Sequence, residues 1–153
     1  MTAPEIEATD RKILQLLAED GRMSYTDLGK ATGLSTSAVH QRVKRLEQRE
    51  LITGYGATVN YASIGVPLTA FVALQPMDPS QPDDTPERVA NLHEVEACWS
   101  IAGADSYMLK VRVATPEALE ELLGRIRSSG NVSTRTTIAM YTYYENRPTL
   151  RHS

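Results

Sequence analysis

A chain of 153 residues, 41% hydrophobic and 23% charged, has the composition of one globular domain or two small ones and not of a fibrous or disordered polymer. Its formal charge of −3 argues against a general coater of polyanions, which would be basic throughout. One cysteine, Cys98, allows no internal disulfide, and three scattered histidines, His40, His93 and His152, give no metal-ligand spacing, so no metal and no cofactor is expected. Cys98 reads as a buried small hydrophobe. No run approaches the roughly 20 apolar residues of a membrane span, and the N-terminal residues lack a signal-peptide layout, so the expectation is a cytoplasmic protein with no membrane partner.

In chain order, the first predicted element is a helix capped by Thr9 or Asp10, with Ile13, Leu14, Leu16 and Leu17 as its apolar face and Asp20-Gly21 as its stop. Ser24 caps a second helix, with Asp27 in the capping-box position and Leu28 and Ala31 turned inward. Gly33 supplies the left-handed turn that follows. Ser35 then caps a third helix in which Val39, Val43 and Leu46 recur at i, i+4 and i+7. Gly29, Gly33 and Val39 stand at the three places a helix-turn-helix constrains: a small residue where the helices cross, a turn glycine, and a buried aliphatic six positions later.

At about 100° per residue, Ser37, Gln41, Lys44 and Gln48 point away from the apolar stripe, while Thr36, His40, Arg42 and Arg45 flank it. Between Ser35 and Arg49 four basic residues face one acid, so positive charge is local to this helix. The candidate partner is double-stranded DNA. Ser37, His40, Gln41 and Lys44, with Thr36 beside them, are assigned to the groove, and Arg42 and Arg45 mainly to phosphates. A solvated basic face is the bland alternative, and the position after a helix-turn-helix turn weighs against it.

After Leu51 the run ITGYGATVNY reads as a strand and hinge, with Gly54 and Gly56 giving flexibility. Strand-like runs follow at Leu68–Leu74, Val95–Ala102, Tyr107–Ala114 and Val132–Tyr144. Between them, Thr85-Pro86-Glu87 and Thr115-Pro116-Glu117 repeat one helix start: cap, proline at the first helical position, acid near the positive end. The order is βαββαβ, with both helices on one face of an antiparallel sheet. The strands are partly apolar on both faces, which implies a homodimer made sheet against sheet. The fold class is therefore α+β. A winged-helix-like helix-turn-helix domain (1–52) leads through a hinge (53–65) to a ferredoxin-like domain (66–147) and a short tail (148–153).

Both halves together resemble the Lrp/AsnC, or feast/famine, transcription regulators. The resemblance rests on DRKI at Asp10–Ile13, DGRMS at Asp20–Ser24, GLS at Gly33–Ser35, RVKRLE at Arg42–Glu47, ITGY at Ile52–Tyr55 and the Gly65 region leading into LTAFV. It covers nearly the whole chain. It implies that the second domain forms dimers and higher oligomers such as octamers, and that an amino-acid effector binds between subunits. The corresponding residues here are Gly103, Ala104, Asp105, Ser106, Tyr107, Thr134, Thr136 and Ile138. The family loop usually reads GxxD, whereas Ser106 stands in the place of that aspartate and Asp105 comes one position early. Two other readings compete. One is an effector-independent nucleoid-organising protein, and the other is an enzyme or amino-acid-binding domain with an accessory helix-turn-helix. The enzyme reading lacks any nucleophile, base and orienter that could be placed together, so catalysis is not expected.

Overall fold

The structure, a computed structural model, describes residues 5–150. Packing divides the chain into two units. Of the described residues, one holds 5–58 together with 144–150, and the other holds Val59–Tyr143.

The first unit contains α1 (Ala8–Glu19), α2 (Tyr25–Thr32) and α3 (Thr36–Gln48). Its core is Ile13, Leu17, Leu28, Val39, Val43 and Leu46, all buried. Each such side chain withdrawn from water contributes about 1.5–3 kcal/mol, so a core this small leaves little margin. Two of the caps match the sequence reading. The Ser24 hydroxyl accepts from the Asp27 amide at 3.0 Å and donates to its carboxylate at 2.8 Å, and Ser35 accepts from the Ala38 amide at 3.2 Å. The first cap differs. α1 begins at Ala8 with Glu7 as its N-cap residue and no side-chain cap bond, and Asp10 lies buried in the first turn, where Arg42 takes its carboxylate.

Gly33 ends α2 with φ 74°, and the Leu34 amide returns to the Gly29 carbonyl at 3.0 Å. That turn brings the chain very near α2. A Cβ built on Gly29 would sit 2.6 Å from the Leu34 carbonyl oxygen. Glycine is thus required by contact and not by backbone dihedral, and the roughly 1 kcal/mol of helix propensity it forfeits is retained as the cost of the close crossing.

The second unit is a four-stranded antiparallel sheet in the order β2-β3-β1-β4, built from β1 (Leu68–Pro76), β2 (Val95–Ser100), β3 (Tyr107–Val113) and β4 (Val132–Ala139). Helices α4 (Thr85–Val89) and α5 (Pro116–Gly130) complete the βαββαβ order. Ala70, Val72 and Leu74 of β1 and Leu109, Val111 and Val113 of β3 pack with Leu119, Leu122, Leu123 and Ile126 of α5. Thr115 caps α5 by accepting from the Ala118 amide at 3.1 Å. The matching Thr85 instead lies inside α4 and is buried, with Asp84 as the N-cap residue making no cap bond because its carboxylate pairs with Arg88 at 2.8 Å.

Several expectations are corrected. The run from Ile52 to Tyr61 forms no strand, since no described strand lies alongside to supply a ladder. The last strand stops at Ala139, five residues short of Tyr144, where its pairing with β1 runs out at Thr69. Cys98 is exposed, because β2 is an edge strand and the five-residue α4 is too short to cover it. Among the described residues no helix is long and apolar enough to cross a membrane.

Glu94 ties α5 to the β2 edge by accepting from Arg125, whose guanidinium holds the carboxyl below its ordinary value of 4.5. A lowered folded-state value contributes stability above the unfolded one that is lost as pH falls. Glu94→Gln should therefore flatten the loss of thermal stability on acidification from pH 5 to 3, checked by melting curves. Gly29→Ala should lower the melting temperature despite the better helix former, with a cost of about 1–3 kcal/mol from overpacking. A stabilised Gly29→Ala protein would show that the Leu34 backbone can retreat.

Candidate functional site

The exposed face of α3 carries Thr36, Ser37, His40, Gln41, Lys44 and Arg45, all accessible, opposite the buried Val39, Val43 and Leu46. Ser37 lies 3.2 Å from the capping Ser35 hydroxyl, so its side chain is oriented by the helix start. The His40 ring packs edge-on against Tyr25 of α2, centroids 5.4 Å apart at 69°. That contact braces His40 without burying it.

Arg42 behaves otherwise than expected. Its Nη1 donates to Asp10 Oδ1 and to Glu7 Oε2, both at 2.9 Å, and its side chain is only 22% exposed. The two carboxylates raise its already high pKa, Asp10 most of all. The guanidinium therefore bolts α3 to the start of α1 instead of standing on the outer face with Lys44. Sequence spacing could not show this, because Asp10 and Arg42 are 32 positions apart and a buried acid reads from sequence as a cap. At the other end of α3, the Tyr55 hydroxyl donates to Glu47 at 2.8 Å; burial and that carboxylate push the phenol up to about 12. This engages the one acid of the helix.

In the sheet unit, the loop Gly103–Ser106 joins β2 to β3 and is pinned to the end of β1. The Ser106 amide donates to the Leu74 carbonyl at 2.9 Å, the Ile101 amide to the Ser106 carbonyl at 3.0 Å, and the Ser106 hydroxyl to Gln75 Oε1 at 3.3 Å. Leu74 pairs with Tyr107 on one side and Thr134 on the other, so Ser106, Tyr107 and Thr134 share one end of the sheet. Thr136 and Ile138 are opposite Val72 and Ala70, the latter roughly 14 Å further along at about 3.4 Å per residue. The structure thus gathers Ser106, Tyr107 and Thr134 and leaves Ile138 distant within one chain.

The charges at this end are already matched. Asp105 pairs with Arg135, which alternation places on the sheet face away from Thr134 and Thr136. The Thr134 hydroxyl accepts from Arg127 at 3.3 Å. The Tyr107 hydroxyl donates to Asp83 at 2.6 Å, and that carboxylate pushes the phenol up to about 12. A cleft of about 220 Å³ opens beside Ser106, bounded by Gln75, Asp83, Asp84, Arg88 and Asn131. Gln75, Asp83, Arg127 and Arg135 carry no sequence signal for such a role, since only the strand register brings them near the loop. Among the described residues no group of acids, histidines and cysteine could hold a metal ion.

Residues 6–47 match the AsnC-type helix-turn-helix domain, and residues 69–149 match the Lrp/AsnC ligand binding domain. The chain belongs to the Lrp/AsnC family. The HTH-type transcriptional regulator LrpA of Mycobacterium tuberculosis is 50% identical over 142 residues, 93% of this chain and 95% of that protein. The leucine-responsive regulatory protein of Escherichia coli is 35% identical over 141 residues, 89% and 85% of the two chains. Among solved structures, a feast or famine regulatory protein from M. tuberculosis complexed with L-methionine superimposes with a TM-score of 0.94 at 48% identity, over 96% of this chain and all of that one. This Lrp/AsnC chain is thus a DNA-binding transcription regulator with an effector-binding unit, and not an enzyme.

Replacing Arg42 by Gln should leave a buried Asp10 unpaired, costing about 1–3 kcal/mol of stability, and should weaken DNA binding while leaving the salt dependence unchanged. A lost phosphate contact would instead reduce the slope of log affinity against log salt by about 0.9. Anisotropy titrations at several salt concentrations separate the two.

Proposed function

We propose that this regulator reads double-stranded DNA as a homodimer, and that an apolar α-amino acid bound at a subunit boundary changes its DNA affinity or assembly. The observation that carries the reading is the α3 face: polar and basic side chains project from a helix whose opposite side, cap and guanidinium bolt all fix its direction. Thr36, Ser37, His40, Gln41 and Lys44 meet the groove and Arg45 meets phosphate, whereas Arg42 holds the helix in place. In a dimer the two recognition helices enter major grooves about one turn, ~34 Å, apart or at a multiple of it.

Dimerisation is supported by the sheet face away from α5. Alternation puts Phe71, Ala73, Trp99 and Met108 there, and Trp99 is 48% exposed in the single chain. Apolar area on such a face gains about 25 cal/mol for each Å² buried, and a second copy offers the same surface. Octamers and cytoplasmic residence are the further expectations of this reading. Lys110 and Arg112, also on this face, reach Glu96 at 3.2 and 3.1 Å, so the polar part of the face carries its own counter-charge.

The effector site uses Gly103, Ala104, Asp105, Ser106, Tyr107, Thr134, Thr136 and Ile138. Loop amides near Gly103 receive the carboxylate, and threonine hydroxyls accept from the ammonium group. Asp105 is held by Arg135 and Ser106 is uncharged, so less negative charge meets the ammonium than an aspartate at position 106 would supply. The side chain of the ligand must then contribute more, which favours an apolar amino acid. The relative that carries L-methionine supports the same class.

Gln41→Ala should change base preference and cost about 1–3 kcal/mol at the affected position; uniform loss across sequences would remove it from the base-reading set. Calorimetry with L-methionine should detect binding that Gly103→Asp and the double change Thr134→Val, Thr136→Val weaken by roughly fivefold or more, the equivalent of about 1 kcal/mol. Equal affinity in all three proteins would displace the site. No binding by any of the twenty amino acids at millimolar concentration would favour the nucleoid-organising role. The emission of Trp99, the single tryptophan, should shift to the red on dilution through the dimer dissociation range, alongside sedimentation.

A further inference from the structure

The helical unit contains an apolar cleft of about 230 Å³ lined by Leu14, Leu17 and Ala18 of α1 and by Leu51, Ile52 and Tyr55, which follow α3. Leu150, almost a hundred residues further along the chain, forms part of its lining and is 36% exposed. Residues 144–150 pack as part of this unit although they follow β4 in the chain. Their course is bent by Asn146, left-handed at φ 56°, and the Arg147 guanidinium stacks over the Tyr144 ring at 3.9 Å. The cleft wall is fastened to α3. The Leu51 and Ile52 amides both donate to the Leu46 carbonyl, at 2.9 and 3.2 Å, and Tyr55 reaches Glu47.

We infer that residues 144–150 form a strap that docks Leu150 into this cleft and joins β4 to the C-terminal turn of the recognition helix. The helical unit is then held to the sheet unit by two covalent connections, one through Thr58-Val59 and one through Tyr143-Tyr144. β4 carries Thr134, Thr136 and Ile138, so a ligand that moves this strand pulls on the strap, and the strap acts on Leu51, Ile52 and the end of α3. The transmitting role rests on the amino-acid reading above; the docking does not.

The test uses the full chain with Leu150→Asp, which sets a charge in an apolar cleft, and Leu150→Met, which keeps the apolar contact. Hydrogen exchange reads the docking without any ligand. Amides of residues 14–18 and 51–55 should exchange severalfold faster in Leu150→Asp and at the original rate in Leu150→Met. Unchanged exchange in Leu150→Asp overturns the strap. DNA affinity with and without L-methionine reads the transmission: the ratio should fall towards 1 in Leu150→Asp and persist in Leu150→Met. Faster exchange with an unchanged ratio overturns the transmitting role. Should the original protein bind no L-methionine by calorimetry, the amino-acid reading fails for this probe and the transmitting role falls with it, while exchange still decides the docking.

Discussion

The close passage of the turn over Gly29 governs the helical unit. Three helices of 12, 8 and 13 residues share a core of six buried side chains, and such a core closes only if the second and third helices nearly touch. Gly29 leaves room for the Leu34 carbonyl, Gly33 turns the chain through the left-handed region, and Ser35 restarts the helix immediately. From that geometry follows the direction of α3, with its outer face available to a ligand. Loosening the crossing would empty the core and rotate the reading face at once.

Arg42 adds a polar fastening to this apolar arrangement. It joins one turn of α3 to the first turn of α1, and Asp10 is buried to meet it. A paired and half-buried ion pair contributes modestly to net stability, since desolvation offsets much of the attraction. Its larger consequence is orientation. A charge fixed between two carboxylates resists sliding of α3 along its groove, which hydrophobic contacts alone permit. Lys44 and Arg45, by contrast, remain exposed on the outer side of α3.

The sheet unit solves a different problem. α5 covers one face, α4 is too short to protect the β2 edge, and the other face retains Phe71, Trp99 and Met108. A monomeric protein with that surface would carry an apolar patch in water. The candidate effector residues lie at one end of this sheet and along the β4 edge, and their charges already have partners in a single chain. A ligand there has to compete with Arg127 and Arg135 or arrive with a second subunit's groups beside it.

Local chemistry was enough to place most elements. Periodicity found Val39, Val43 and Leu46, Ser24 and Ser35 announced their caps, and the proline-led starts found both helices of the sheet unit, because each depends on residues within one or two turns. The same periodicity separated the buried stripe of α3 from its exposed polar face. What local chemistry could not settle were pairings across long stretches of chain. Asp10 was legible as a cap, and only the tertiary structure turned it into the partner of Arg42. A continuous β-prone run suggested that the last strand reached Tyr144, but a strand lasts only as long as its neighbour, and β1 ends that ladder at Ala139. Cys98 looked like core because it is small and apolar, yet exposure is decided by what covers a strand. The contacts of Asp105, Tyr107 and Thr134 were invisible for the same reason: strand register and helix placement, both non-local, decide which charges meet.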